Sequence, residues 1–600
     1  MKAFINSKEI EFRENDTVLA VAKSHGFFIP SLCELADICH APGTCRVCLV
    51  QIQRPGSEIT QIVTSCNTPL EEGMRVLTRT PELRRMQRLQ VELLLADHNQ
   101  DCASCIRHGN CELQDVAQFV GLELTRYRYP HFFKQRTQDK SSSCVVRDMS
   151  KCIRCFRCLS VCREIQGVDA LVISKKGLET EIGVRDSLPL NASDCVGCGQ
   201  CTLVCPVGAL AEKNDIEQVI DYLYDPEIVT VFQVAPAVRT ALGEDFGFAA
   251  GENVQGQLVG ALQKLGADII QDTNFTADLV IMEEGSELLQ RVQNGGTMPM
   301  FTSCCPGWVN FAEKNHPELL PNISSARSPQ QCFGVLAKTY MAEQMEKDPA
   351  KMRVISIMPC TAKKGEAQRA EFSSEYGRDV DVVLTTREFS LLLKREGIHL
   401  RDVTPSEFDA PLMSSYSGAA AIFGTTGGVM EAAVRTVYYV LNQKELPQIV
   451  FTPLRGMENI RVATVQVTPD RELTLAVAHS LKAAETLVQS IQSGELHCDF
   501  VEIMACPGGC MCGGGQPRTK HSYNASGLAR RKGLFAIDEK ATVRQSHKNK
   551  MVQYLYEQFL GEPLGEKSHH LLHTTYSDRK QQDTQAMTME DIWQEVEERI

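Results

Sequence analysis

Cysteine placement constrains this chain more than any other feature. There are 25 cysteines in 600 residues. They fall in tight runs separated by long stretches that have none, such as the span between Cys205 and Cys304. Secreted, disulfide-stapled domains are much shorter and spread their cysteines more evenly. Clustered thiols in a long chain read instead as metal ligands. Any fold for this sequence must gather each run to a point and leave room there for an inorganic group.

The remaining composition narrows the class. Hydrophobic residues are 43% and charged residues 23%, which excludes a largely disordered or fibrous chain. The length suits roughly four domains of about 150 residues. A net charge of −13 argues against general nucleic-acid binding. No stretch approaches the roughly 18 apolar residues of a membrane span. The N-terminal MKAFINSKEIEF has neither an apolar h-region nor a twin-arginine pair, so a cytoplasmic location is expected.

Five regions follow along the chain. Residues 1–78 open with short strands (KAFIN, IEF) and a helical DTVLAVAKSHG, then Cys33-x11-Cys45-x2-Cys48-x17-Cys66 with an extra Cys39. A close pair plus distant single thiols suits a [2Fe–2S] cluster; spacing alone leaves Cys33 and Cys39 open as the fourth ligand. Residues 79–118 carry a helix with Leu83, Met86, Leu89 and Leu93 as its expected core face. It leads into His98-x3-Cys102-x2-Cys105-x5-Cys111, which suits a [4Fe–4S] cluster or a structural zinc equally. Residues 138–216 hold Cys152-x2-Cys155-x2-Cys158-x3-Cys162 and Cys195-x2-Cys198-x2-Cys201-x3-Cys205-Pro206. This is the two-cluster ferredoxin run written twice, in which the fourth thiol of each run serves the other cluster. Cys152, Cys155, Cys158 and Cys205 then hold one [4Fe–4S] centre, and Cys195, Cys198, Cys201 and Cys162 the second.

From residue 225 to 517, β-branched runs (IVTVFQV, MRVISIM, PQIVFTPL, DFVEIMA) alternate with helical segments, the signature of largely parallel α/β layers. Cysteines now sit just past strand ends, at Cys304, Cys305, Cys360, Cys506 and Cys510. Open α/β sheets build their sites there. Gly424-Thr-Thr-Gly-Gly428 lacks the Lys-Ser/Thr ending of a phosphate loop and reads as a tight turn into a helix. Residues 518–600 are more polar and helical; Thr588 and Asp591 form a candidate capping box, and Ile592, Val596 and Ile600 share a helical face that serves either a partner or the chain's own core.

Three motifs carry a family resemblance: Thr302-Ser-Cys-Cys-Pro-Gly-Trp308, Met358-Pro-Cys-Thr-Ala-Lys-Lys-Gly-Glu366, and Glu502-x-Met-x-Cys-x3-Cys-x-Cys-Gly-Gly-Gly-Gln-Pro517. With them the chain closely resembles the catalytic subunit of iron-only, or [FeFe], hydrogenases over about residues 1–575. The resemblance implies a β-grasp [2Fe–2S] domain, a His/Cys3 cluster domain, a two-[4Fe–4S] ferredoxin domain, and a two-lobed α/β domain for the H-cluster. It implies an enzyme that interconverts protons, electrons and H2, with electrons wired through one [2Fe–2S] and three [4Fe–4S] clusters. Cys305, Cys360, Cys506 and Cys510 would bind the [4Fe–4S] half of the H-cluster, and Cys510 would bridge to a diiron unit carrying CO, cyanide and a dithiolate amine. Lys363 would hydrogen-bond a cyanide. Gln330 and the Ala235-Pro236 turn would line the pocket, with Met358 and Met504 packed against the diiron unit. Cys304 would relay protons, as a thiol near its ordinary pKa of about 8.5 can. Glu284, Ser324, Glu287 and Arg291 would carry them outward, and Glu284, Glu287 and Arg291 fall on one helix face.

The resemblance also selects Cys33 over Cys39, and a His98-ligated [4Fe–4S] cluster over zinc. Cys512 departs from the family pattern; Cys144, Cys332 and Cys498 read as buried thiols. Residues 126–163 hold ten Lys/Arg and two acids, a net of 10 − 2 = +8, either a docking patch for an acidic carrier such as ferredoxin or compensation for anionic clusters. The expected partners are ferredoxin or the flavoprotein NAD(P)-reducing subunits of a complex, electron-bifurcating in one version, together with maturation proteins. A non-catalytic subunit resembling the large iron–sulfur subunit of NADH dehydrogenase would account only for residues 1 to about 215. A hydrogen sensor or assembly factor would lack parts of the motifs that are intact here.

Overall fold

The computed structural model describes residues 1–127, 136–409, 413–446, 454–469 and 471–580. Most of the 447–454 run, Arg128 and Lys134 of the basic stretch, and the whole 588–600 segment lie outside them.

The first region is a five-stranded mixed sheet ordered Lys8–Glu11, Lys2–Ile5, Arg75–Leu77, Leu49–Gln53, Thr60–Thr64. Only the Lys2–Ile5 and Arg75–Leu77 pair is parallel. The first hairpin turns on Asn6 and Ser7, both at positive φ (47° and 70°), the backbone twist that two-residue hairpins favour. Thr17 caps the helix Val18–Ser24 by accepting from the Ala20 N–H.

The helix Pro81–Ala96 starts as the sequence suggests, with Thr80 as N-cap and proline at its first turn. Its buried face differs from the expected one. Leu83 is buried, but Leu89 and Leu93 are 36% and 44% exposed, and Gln87, Val91 and Glu92 are buried in their place. Two polar contacts set this phase: Gln87 Nε2 donates to the Leu49 carbonyl at 3.1 Å, and Glu92 pairs with Arg126 at 2.7 Å.

The two-cluster domain repeats itself. The short helices Arg157–Ser160 and Gln200–Val204 follow left-handed cap residues, Phe156 (φ 62°) and Gly199 (φ 68°), at matched places in the two cysteine runs. An antiparallel pair, Val145–Asp148 with Leu210–Glu212, ties the ends of the domain together.

The large α/β region has two sheets. One is all parallel, ordered Ile269–Asp272, Val229–Val234, Met352–Met358, Val382–Thr385. The other runs Met300–Phe301, Phe500–Met504, Arg471–His479, Ile460–Thr468, with only the last antiparallel. The helix Thr273–Asn294 lies between them: Phe275 and Leu279 enter the first core, while Ala277, Ile281 and Leu288 enter the second. The Gly424–Gly428 segment is a tight turn, with Gly427 at φ 83° capping the helix Gly428–Asn442. Its amides at Gly427 and Met430 donate to the buried Glu502 carboxylate at 2.6 and 2.8 Å. Residues past 518 wrap this region. Asp538, in the helix Gly527–Lys540, pairs with Arg435 at 2.9 Å. Residues 572–574 lie along 325–327 through Arg327 N–H to Leu572 O (2.7 Å) and Thr574 N–H to Ser325 O (2.8 Å).

Candidate active site and cluster chain

The carboxyl ends of both sheets face one cavity of about 80 Å3. Strand ends deliver most of its wall. Ala235-Pro236 follows Val229–Val234; Met358 ends one strand, with Cys360 and then Lys363 just beyond; Met504 ends another, ahead of Cys506 and Cys510. Cys304, Cys305 and Gln330 complete the set, so every pocket residue expected from the sequence lines this space. Cys305 caps the helix Pro306–Asn315, whose free amides favour negative charge at its start, and the Ala505 N–H donates to its Sγ at 3.4 Å.

The donor set fits an iron–sulfur group. Burial and neighbouring sulfurs push the Cys360, Cys506 and Cys510 thiols up, Cys360 to about 12, and only a cation could hold them together as thiolates. Lys363 Nζ pairs with Glu366 at 2.8 Å while lining the cavity. Gln330 Nε2 donates to the same carboxylate at 3.0 Å, and Gln330 Oε1 is buried without a partner. Cys512 is not in the wall; its sulfur faces Gly527. Cys144, Cys332 and Cys498 are buried.

One side of the cavity continues into a polar chain. Cys304 feels the Glu284 carboxylate, and burial pushes its thiol well up, so the thiol is more firmly protonated than its ordinary pKa implies. Glu284 is fully buried with neither oxygen hydrogen-bonded. Burial, and next the charge of Glu287, raise it to about 8. Ser324 lies beside it and donates to Glu287 at 2.7 Å, and Arg291 binds Glu287 at 2.6 Å nearer the surface. The helix Thr273–Asn294 supplies Glu284, Glu287 and Arg291.

Four further thiol sets converge. Cys33, Cys45, Cys48 and Cys66 are all buried, with Cys33 within hydrogen-bonding reach of Cys45 and Cys66, and Cys48 of Cys66. Cys39 stands apart, exposed in a left-handed turn at φ 52°. His98, Cys102, Cys105 and Cys111 line a cavity of about 270 Å3. Cys152, Cys155 and Cys158 crowd with Cys205, whereas Cys162, Cys195, Cys198 and Cys201 line a separate space of about 30 Å3. The two ferredoxin-like sets are thus crossed. Among the described residues no three His, Cys, Asp or Glu side chains close around the position of a single metal ion.

The sets meet at close contacts. A side chain on Gly514 would reach within 2.2 Å of the Cys198 carbonyl, and one on Gly307 within 4.0 Å of both Cys198 and Cys305. His40 joins the first set to the third, its Nε2 lying 2.8 Å from the Cys155 carbonyl. Arg157, between Cys155 and Cys158, is buried and donates to Glu112 beside Cys111 (3.0 Å), to the carbonyl of Glu34 beside Cys33 (3.0 Å) and to the carbonyl of Val204 beside Cys205 (3.4 Å). Sequence reasoning counted Arg157 only among the cations that either dock an acidic carrier or offset the anionic clusters, and missed that it ties three cysteine sets together. Seven cations of the 126–163 stretch sit in ion pairs, namely Arg126, Arg136, Arg147, Lys151, Arg154, Arg157 and Arg163; besides Asp139 and Asp148 their partners are the four acids Glu92, Asp97, Glu112 and Asp169, which offset half of the net +8.

Comparison with known proteins covers nearly all of this architecture. Residues 228–514 match the "iron only hydrogenase large subunit, C-terminal domain" family and 526–579 the "iron hydrogenase small subunit" family. Residues 2–81 match a 2Fe-2S cluster binding domain, 87–126 the NADH-ubiquinone oxidoreductase-G iron-sulfur binding region, and 151–209 a 4Fe-4S dicluster domain. The NADP-reducing hydrogenase subunit HndD of Solidesulfovibrio fructosivorans is 42% identical over 96% of this chain and 98% of its own length. Iron hydrogenase 1 of Clostridium pasteurianum is 37% identical over 95% of this chain and 99% of its own. A variant of the apo [FeFe]-hydrogenase HydA1 of Chlamydomonas reinhardtii is 40% identical, covers 61% of this chain and 99% of its own, and superposes with a TM-score of 0.55. From its cysteine-lined cavity to its iron–sulfur modules, the chain belongs to the iron-only, or [FeFe], hydrogenase family.

Proposed function

We propose that the enzyme carries out 2H+ + 2e− ⇌ H2 at an H-cluster seated in the 80 Å3 cavity, as the hydrogen-activating subunit of an NAD(P)-linked complex. The observation that carries the reaction is a meeting of two routes at one water-poor space. The Cys304–Glu284–Ser324–Glu287–Arg291 chain reaches it from one side, and the Cys198 loop from another.

Cys305, Cys360, Cys506 and Cys510 would hold the [4Fe–4S] half, and the bound diiron unit, with its CO, cyanide and dithiolate amine, would supply the redox chemistry of hydrogen. The chain's own residues do the rest. Met358 and Met504 exclude water with polarizable side chains. Lys363, held by Glu366, offers remaining ammonium donors to an anionic ligand. Cys304 passes a proton at its Sγ, and Glu284, raised to about 8, takes or returns it near neutral pH. Four outer clusters, one [2Fe–2S] in a β-grasp domain and three [4Fe–4S], would occupy the other thiol sets. The domains would span 1–78, 79–118, 138–216, 225–517 and 518–600. The likeness to a NADP-reducing hydrogenase subunit over almost its full length supports the complex, and ferredoxin or a flavoprotein would exchange electrons at the outer clusters.

Anaerobic purification of the tagged chain from its own host tests both parts. Hydrogen turnover together with a co-purifying flavoprotein that reduces NAD(P) is the expected result. A chain that runs alone and evolves H2 from reduced ferredoxin would remove the complex but keep the reaction. Full iron loading without turnover would remove the reaction.

A further inference from the structure

Arg107 lies between Cys105 and Cys111 and is only 2% exposed. It lines the same cavity as His98, Cys102, Cys105 and Cys111. Its Nε and Nη1 are buried without a hydrogen-bond partner, and no described carboxylate pairs with it. The acids nearby are already engaged: Asp97 by Arg136 and Arg154, Asp148 by Lys151, Glu112 by Arg157, Asp115 by Lys520. Gly208 lines the same cavity beside them, where a side chain would come within 2.7 Å of Cys105 Sγ, 3.5 Å of Lys151 Cδ and 3.6 Å of Arg107 Cγ.

A buried guanidinium without a counter-charge is a costly arrangement, and native chains satisfy such groups. Here the missing partner is supplied if the cavity holds an anionic group. Three thiolates around a cluster make it one, and the Cys111 thiol already feels the Arg107 charge. Reduction adds an electron to that group and makes it more negative, so a fixed cation with free N–H donors favours the reduced form.

We propose that Arg107 is the buried counter-ion and N–H donor of the cluster held by His98, Cys102, Cys105 and Cys111, and that it raises the reduction potential of that cluster. Arg107 is a positioning residue: it touches no substrate and acts through the cluster. The step it biases is the one-electron reduction of the cluster, by an electron released from H2 or delivered by the external carrier. With a raised potential this centre stores an electron beside the Cys152/Cys155/Cys158/Cys205 site. The inference rests on the reading of this set as an iron–sulfur site.

The test is a redox titration of the intact, cluster-loaded enzyme followed by electron paramagnetic resonance. The His98-ligated centre is recognised by its nitrogen hyperfine coupling. For Arg107→Gln, the one-electron equilibrium of that centre should shift at least tenfold toward the oxidised form, a drop of about 59 mV. Arg107→Lys should recover most of the shift, and the other clusters should move less. A variant that keeps the nitrogen-coupled signal at an unchanged potential overturns the proposal. If Arg107→Gln loses the centre, retention by Arg107→Lys supports a need for charge, and equal loss in both variants overturns it as mere packing. Zinc in place of iron in the wild type, with no nitrogen-coupled signal, would instead remove the cluster reading on which the inference stands.

Discussion

Replacing Glu284 by glutamine separates two consequences of one buried carboxyl. The side chain is fully buried, neither oxygen makes a hydrogen bond, and its pKa is raised from 4.5 to about 8 by burial and by Glu287. At pH 7 it is therefore about nine-tenths protonated, and glutamine copies that neutral form in size and shape. In the unfolded wild type the carboxyl is ionised at pH 7 and must regain its proton on folding, so the variant should already be the more stable form there. Glutamine cannot release a proton, so hydrogen turnover should fall by about 10²- to 10⁴-fold with iron content unchanged. Stability moves the opposite way in alkali. A carboxyl whose folded pKa lies above its unfolded one is most stabilising below pH 4.5, and the native state loses that stability as pH climbs to about 8. The full difference is roughly 5 kcal/mol at about 1.4 kcal/mol per pKa unit. At pH 9 the variant should thus unfold at a higher temperature than the wild type. The assays are viologen-driven H2 evolution without oxygen and thermal unfolding at pH 7 and 9. Turnover within threefold of wild type would refute the relay, and an unchanged melting temperature at pH 9 would refute the burial argument.

Further outcomes follow from other sites. Cys304→Ala should lose most turnover while keeping its iron, as measured by H2 evolution and metal analysis. Cys33→Ser should remove the [2Fe–2S] signal from the visible and paramagnetic spectra, whereas Cys39→Ser, altering an exposed turn, should leave it. Arg239→Met strips the partner from Asp272 in a pair with no exposure on either side, so denaturant unfolding should show a loss of about 3–5 kcal/mol. Gly514→Ala drives a methyl toward the Cys198 carbonyl, a backbone atom that cannot step aside; a cost of about 1–3 kcal/mol should appear as a lower melting temperature.

Much of the site was legible because ligand chemistry fixes residue type and spacing together. The thiols past the strand ends could be placed on one cavity without knowing the strands' order. Glu284, Glu287 and Arg291 could be put on one face by helical period alone, but Ser324, arriving from a distant loop, needed the family resemblance. What periodicity could not supply was phase and partner. The helix Pro81–Ala96 turns Leu89 and Leu93 outward because Gln87 finds a backbone partner inside and Glu92 is covered by Arg126. Arg107 and Arg157 look like surface charges until the structure shows one lining a cavity without a partner and the other surrounded by acceptors. A buried cation is decided by tertiary contacts, and no local pattern announces it.

Arg157 has a practical consequence for anyone shortening this enzyme. The cysteine runs invite trimming, as if each were a detachable bead. The guanidinium contradicts that image, because Glu34 and Glu112, two of its three acceptor residues, lie upstream of residue 127 and only Val204 lies downstream. A truncated chain beginning at the two-cluster domain would keep the cation and discard its carboxylate. The cut would leave Arg157 with only the Val204 carbonyl of these three acceptors, so a minimal version has to replace the Glu34 and Glu112 contacts before it needs a new start codon.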